Sequence, residues 1–193
     1  QAAHAAAPHV GQALHLSVAA GITSDSMAAW LGSQRIVRAM PNTPALVGLG
    51  QTGLFARASV APADRTSVEQ VLASTGECTW VQAEPLLDAV TALSGSGPAY
   101  FFYFIESMVR AGVAMGLTEA QAKQLAVGTM AGAAELARTS HDSPAVLREK
   151  VTSKGGTTYA ALTHMAHLNV GAHFEEALEK AWIRAAELGR EFG

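Results

Sequence analysis

With 193 residues, 49% of them hydrophobic and only 15% charged, the chain has enough apolar matter to bury one substantial core or two modest ones. Its net charge of −3 is spread without long runs of either sign, which argues against nucleic acid as a partner because phosphate binding needs a basic stripe. The single cysteine, Cys78, excludes an intrachain disulfide framework and a four-cysteine zinc site, and fits a reducing, cytoplasmic location.

The start, Gln1-Ala2-Ala3-His4-Ala5, has neither an initiator methionine nor a basic region ahead of an apolar one, and reads as cut from a longer chain. Up to about Gln82, short apolar runs alternate with short helical ones, the pattern of an open α/β unit. Leu14 to Ala20 is a predicted strand ending at Gly21. Ser24 or Asp25 is placed to cap a helix through Leu31, with Gly32 at its left-handed exit. A strand resumes over Arg35 to Met40. Pro41 and Pro44 then fix two φ angles and remove two donors, so the loop Met40-Pro41-Asn42-Thr43-Pro44 is stiff and presents Asn42 and Thr43 rigidly. Strands over Gln51 to Ala56 and Cys78 to Gln82 flank a helix from about Pro62 to Ser74, closed by Gly76.

From about Glu84 the strand signals vanish. Gly97-Pro98 opens a helix that Gly116 closes; Thr118 with Gln121 forms a capping box; Ser143 caps a helix whose first turn holds Pro144. Gly171 is expected to separate two last helices, the first beginning near Thr157. Tyr100 to Met115 is apolar nearly all the way round apart from Glu106 and Arg110, an i, i+4 pair, and a helix without a polar face is buried on several sides. So few other helices cannot surround it, and a second copy of the chain is expected to supply the missing walls. The longest apolar stretch, Pro98 to Ile105, is far short of the roughly 20 residues of a membrane span.

Chemistry concentrates at Thr152-Ser153-Lys154-Gly155-Gly156-Thr157-Thr158. Paired glycines let a backbone approach a ligand closely, and the first amides of the following helix are ready to seat a carboxylate or phosphate, with Ser153, Thr157 and Thr158 adding hydroxyls. Taken alone, the same residues describe equally well a tight turn between helices with Thr157 as a cap. Ser94-Gly95-Ser96-Gly97-Pro98 lacks the lysine of a phosphate-binding loop and reads as close packing at a helix start. His164 and His167 share a helical face without a further ligand, so no metal site is expected, and Cys78 reads as a packing residue.

Four segments taken together, Val18-Ala19-Ala20-Gly21, Met40 to Pro44, Asp88 to Tyr100 and Val151 to Thr158, are similar to the pattern of the pyrroline-5-carboxylate reductases. The resemblance implies a Rossmann domain followed by an all-helical dimerisation domain that interlocks with its twin. It also implies NADPH or NADH as cofactor, homodimers or larger homo-oligomers, and reduction of 1-pyrroline-5-carboxylate to L-proline. On that pattern residues 1–83 are the C-terminal remnant of the dinucleotide-binding domain and 84–193 the helical domain. The substrate-binding positions are Ser153, Gly155, Gly156, Thr157, Thr158 and Glu84, with Thr158 bonding the ring nitrogen. Val18, Ala19, Ala20 and Asn42 are cofactor-side positions. The glycine-rich fingerprint of such a domain is absent from the chain, so the chain alone is expected to bind cofactor poorly and to be inactive. Two alternatives stand beside this reading: a related imine or ketone reductase, and a non-catalytic oligomerisation module.

Overall fold

A computed structural model describes residues 2–192 and divides the chain into two compact units, Gln1–Pro98 with Ala177–Gly193, and Ala99–Glu176. The architecture is mostly helical with one small sheet, as the alternation and punctuation of the sequence led us to expect.

The first unit is built on a four-stranded sheet of β1 (His15–Ser17), β2 (Ile36–Met40), β3 (Gly50–Ala56) and β4 (Gly76–Trp80), in that spatial order. β1 and β2 are parallel, β2 and β3 antiparallel, β3 and β4 parallel. The central strands carry the apolar residues: Ile36, Val37 and Leu54 are completely buried, and Ala39, Ala56, Val60 and Val68 complete the core. The edge strand β4 alternates half-buried and exposed positions, and its Trp80 donates an indole N–H to Glu69 at 2.5 Å while Arg65 lies over the ring. Cys78 packs against this core, and burial pushes its thiol pKa up, with Glu69 adding to the effect.

Around the sheet lie α1 (Ala2–Ala6), α2 (Ser24–Leu31), α3 (Pro62–Leu72) and α4 (Leu86–Val90). The strand predicted from Leu14 to Ala20 is shorter than expected, leaving Val18 to Ala20 as exposed loop beyond its carboxyl end. α2 exits through Gly32 at φ 64, as its position predicted, but its cap is Thr23, whose Oγ1 accepts the Ser26 amide at 3.2 Å. Ser24 is drawn into a different contact, described below. Thr43–Val47 winds into a 3-10 turn with Pro44 in it, consistent with a stiff loop. α4 sits directly on the sheet, since a side chain at Gly53 would come within 2.6 Å of Val90. A π-helical turn over Thr91–Gly95 continues it, and a side chain at Gly95 would collide with Met40 at 2.8 Å. Gly95 therefore serves close packing, whereas a side chain at Gly97 would meet open space.

In the second unit α5 (Gly97–Ala114) runs into α6 (Glu119–Thr139), with Gly116 at φ 100 and the Thr118–Gln121 capping box between them. α7 (Pro144–Lys150) is capped by Ser143, α8 (Thr157–His167) follows, and α9 (Val170–Phe192) begins here and belongs to the first unit from Ala177. The break before α9 is made by Asn169 at φ 52, while Gly171 lies inside the first turn of α9. Asparagine visits the left-handed region at modest cost and supplies the reversal expected of Gly171. Gly112 admits Ala122, whose Cβ would stand 2.9 Å from an added side chain, and Phe104 meets Phe174 edge-on at 5.7 Å. Glu106 and Arg110 pair at 3.5 Å as predicted. One face of the start of α5 is left open among the described residues: Phe101, Phe102 and Tyr103 are 56%, 62% and 64% exposed. Among the described residues no helix is long and apolar enough to cross a membrane.

Candidate functional site

Each unit carries part of the candidate set. In the second, Gly155 at φ 76 turns the chain, a conformation that L side chains rarely adopt, and Gly156 follows in extended geometry as the N-cap of α8. A side chain at Gly156 would come within 2.6 Å of the Ser153 hydroxyl, so the turn is drawn tightly against Ser153. Gly156 donates its own amide to the Ser153 carbonyl at 3.0 Å, and the first helical bond runs from Ala160 back to Gly156 at 3.1 Å.

The amides of Thr157, Thr158 and Tyr159 thus open α8 with no acceptor among the described residues. The N-termini of α2, α6 and α7 are capped by the hydroxyls of Thr23, Thr118 and Ser143, whereas α8 has no side-chain cap. The cap position itself offers no side chain. Elsewhere in this unit hydroxyls bond back to carbonyls four residues earlier, as in Ser107 to Tyr103, Thr139 to Glu135 and Thr152 to Arg148. Thr157 and Thr158 have no preceding helical turn to bond to, and among the described residues neither hydroxyl makes a hydrogen bond. Thr157 is exposed and Thr158 half-buried. Three unpaired amides at the positive end of an 11-residue helix, with two free hydroxyls, form a concentrated set of donors for a small anion. Of the two readings open from sequence, Thr157 acting as a cap is not what the helix shows.

In the first unit Val18, Ala19 and Ala20 follow the carboxyl end of β1, and Asn42 follows that of its parallel neighbour β2. That common edge is where open α/β sheets hold ligands. Asn42 is already engaged: its amide donates to the Ser94 carbonyl and hydroxyl at 3.2 and 3.1 Å, and its Oδ1 accepts the Gln51 amide at 2.9 Å. It braces the loop after β2 against the residues following α4.

Glu84, expected at the substrate, is taken up by a structural contact. One carboxylate oxygen accepts the Ser24 amide at 2.6 Å and Arg38 at 2.7 Å, and the other accepts a short hydrogen bond from the Ser24 hydroxyl. Ser24 is 1% exposed, so this carboxylate caps α2 from 60 residues away. Arg57 donates to the same Ser24 oxygen at 3.0 Å and pairs with Asp25. Ser24, Asp25, Arg57 and Glu84 line a cavity of about 320 Å³, but its charges are already paired, Arg57 with Asp25 and Glu84 with Arg38. Nearby Asp88 has its pKa raised, chiefly by burial, with Arg38 and Arg190 opposing and Glu84 reinforcing the shift. No motif announced this cluster: Ser24 read only as a cap and Arg38 only as a strand residue. Among the described residues no group of acidic, histidine or cysteine side chains could hold a metal ion.

The fold defines a class, an α/β sheet unit followed by an all-helical unit in which α8 opens without a side-chain cap. Known proteins of that build share its sequence. A family model for pyrroline-5-carboxylate reductase dimerisation matches residues 84–188. The pyrroline-5-carboxylate reductase of Pseudomonas aeruginosa is 45% identical over 181 residues, 93% of this chain and 66% of that protein. The solved structure of a Coxiella burnetii pyrroline-5-carboxylate reductase is 38% identical and superposes with a TM-score of 0.92, covering 96% of this chain and 70% of that one. A Plasmodium falciparum pyrroline carboxylate reductase, solved with NADP bound, is 30% identical with a TM-score of 0.88, over 97% of this chain and 75% of that one. The chain belongs to the pyrroline-5-carboxylate reductase family. It spans about two thirds of the length of the curated relatives it matches, 66% of the first and 65% of the second.

Proposed function

We propose that the complete protein carrying this chain reduces 1-pyrroline-5-carboxylate to L-proline with NADPH or NADH. The observation that carries this reading is the uncapped start of α8, where the amides of Thr157, Thr158 and Tyr159 are unpaired in a family whose named substrate bears one carboxylate. Those amides, with Gly155, Gly156 and the Ser153 hydroxyl shaping the turn, bind the carboxylate. Thr158 bonds the ring nitrogen and orients the imine face. A bound nicotinamide cofactor would supply a hydride to C5, with the C=N π pair passing to nitrogen. A threonine hydroxyl is too weak an acid to deliver a proton alone, so the nitrogen enters already protonated or takes its proton from water, and Thr158 holds the N–H in place.

Val18, Ala19 and Ala20 fit the cofactor side: they are small, exposed and beyond the carboxyl end of a parallel strand. Asn42 supports that edge through its bonds to Ser94 and Gln51. The open aromatic face of α5, in the segment matched by the dimerisation model, supports a homodimer or larger homo-oligomer. We place residues 1–83 in the dinucleotide-binding domain and 84–193 in the dimerisation and substrate domain. A lone packing thiol is in keeping with the cytoplasm. The test is NADPH consumption by the complete protein with 1-pyrroline-5-carboxylate and chromatographic detection of proline; cofactor oxidation without proline would overturn the assignment.

A further inference from the structure

The loop between β1 and α2, residues 18–23, carries the three cofactor-side positions; Thr23 is held by its cap on Ser26, but over residues 18–22 the only hydrogen bond among the described residues is the one Ala19 donates to the Ser17 hydroxyl at 3.3 Å. Its shape is imposed from two remote parts of the chain. At its middle, Gly21 stands at φ 74, and a side chain there would lie 3.2 Å from the Leu188 carbonyl and 3.5 Å from the Phe192 ring. The last turns of α9 therefore press directly on the turn of the loop. At its end, Ser24 gives both its amide and its hydroxyl to Glu84, whose other partner, Arg38, projects from β2. The Arg38 and Glu84 side chains are only 13% and 20% exposed, so the bond is shielded from water and holds its geometry.

We propose that Glu84 and Phe192 are positioning residues for the cofactor: they hold the loop at residues 18–23 in the shape that receives the nicotinamide end, without touching the reacting atoms. This rests on the reductase reading given above. Glu84 fixes where α2 begins and hence where the loop ends, and the close of α9 fixes the height of the loop at Gly21. A loop released from either anchor samples other shapes, and the affinity falls by the fraction of time the binding shape is populated. The consequence is selective. Cofactor affinity drops, while the α8 start, which belongs to the other unit, keeps its substrate affinity.

The experiment measures NADPH dissociation constants by fluorescence, together with kcat and both KM values, in the complete protein and its Glu84→Ala, Glu84→Gln and Phe192→Ala variants. Glu84→Ala is expected to raise the Kd and KM for NADPH about tenfold, the scale of one lost hydrogen bond to a charged group. Its kcat at saturating cofactor and its KM for pyrroline-5-carboxylate should stay near wild type. Glu84→Gln keeps an acceptor for the Ser24 amide and should recover most of the loss. Phe192, 58% exposed, can be truncated without threatening the fold and should give a smaller rise in the same direction. Cofactor binding unchanged in both Glu84→Ala and Phe192→Ala, or a uniform loss in kcat and both KM values, would overturn the proposal. Should Glu84→Ala not fold, unchanged NADPH affinity in Phe192→Ala overturns it alone. Wild-type protein that binds NADPH but does not reduce the imine would instead sink the substrate assignment, leaving the loop measurement intact.

Discussion

Replacing Thr158 by alanine separates the anion seat from the scaffold that carries it. Among the described residues the Thr158 hydroxyl has no partner, so its removal takes nothing from the internal hydrogen-bond network. Alanine is also the better helix former, and the net change in stability is expected to stay within about 0.5 kcal/mol. If the hydroxyl meets the charged ring nitrogen, the variant loses a hydrogen bond to an ionised group, about 1.5–3 kcal/mol. That corresponds to roughly a 10- to 150-fold fall in kcat/KM. Initial rates of NADPH consumption over a substrate series, paired with a thermal melt, give both quantities. Gly116→Ala is the control: Gly116 lies at φ 100 in open space, so alanine there costs about 1–2 kcal/mol of backbone strain and lowers Tm with no contact to the seat. A kcat/KM for Thr158→Ala within about twofold of wild type would refute the role, since the lost bond is larger than that. A fall matched by a Tm loss like that of Gly116→Ala would refute it equally.

The exposed α5 aromatics predict that Phe102→Arg dissociates the oligomer. Burying one such ring contributes about 2–3 kcal/mol, and an unpaired charge in its place costs several more; unchanged sedimentation at micromolar concentration would contradict a paired face. Thr118→Ala removes the hydroxyl that caps α6 at the Gln121 amide and should cost about 1 kcal/mol in a denaturant melt with the slope unchanged. Asp88→Asn addresses pH. Because the folded pKa of Asp88 is raised, the folded state binds this proton more tightly than the unfolded chain, so stability is greatest below the unfolded pKa and falls as pH rises through the window up to the folded value. The variant should lose that fall, so the Tm difference between variant and wild type should increase in the variant's favour from about pH 4 upward; a pH-independent difference would contradict the burial of this carboxyl.

Local punctuation was legible from residues because its physics is local. Gly32 and Gly116 ended helices at positive φ, and the Thr118–Gln121 box and the Ser143 cap formed where their spacing placed them. The reversal before α9 was misread because Asn169 competes with Gly171 for the same left-handed turn, and side-chain type alone does not rank them. The Gly155–Gly156 start of α8 was visible as a candidate, but whether Thr157 caps it or leaves it open depends on a side-chain direction that only coordinates show.

Amino-acid order by itself determined the α/β-then-helical layout, the stiff loop after Met40 and the family pattern, since periodicity, proline and glycine act within a few residues of themselves. Tertiary structure alone decided the fate of Glu84, Asn42 and Gly21. Their partners Ser24, Ser94 and Leu188 lie tens of residues or more away, and a carboxylate or amide acquires its role from whichever donors the fold brings within about 3 Å.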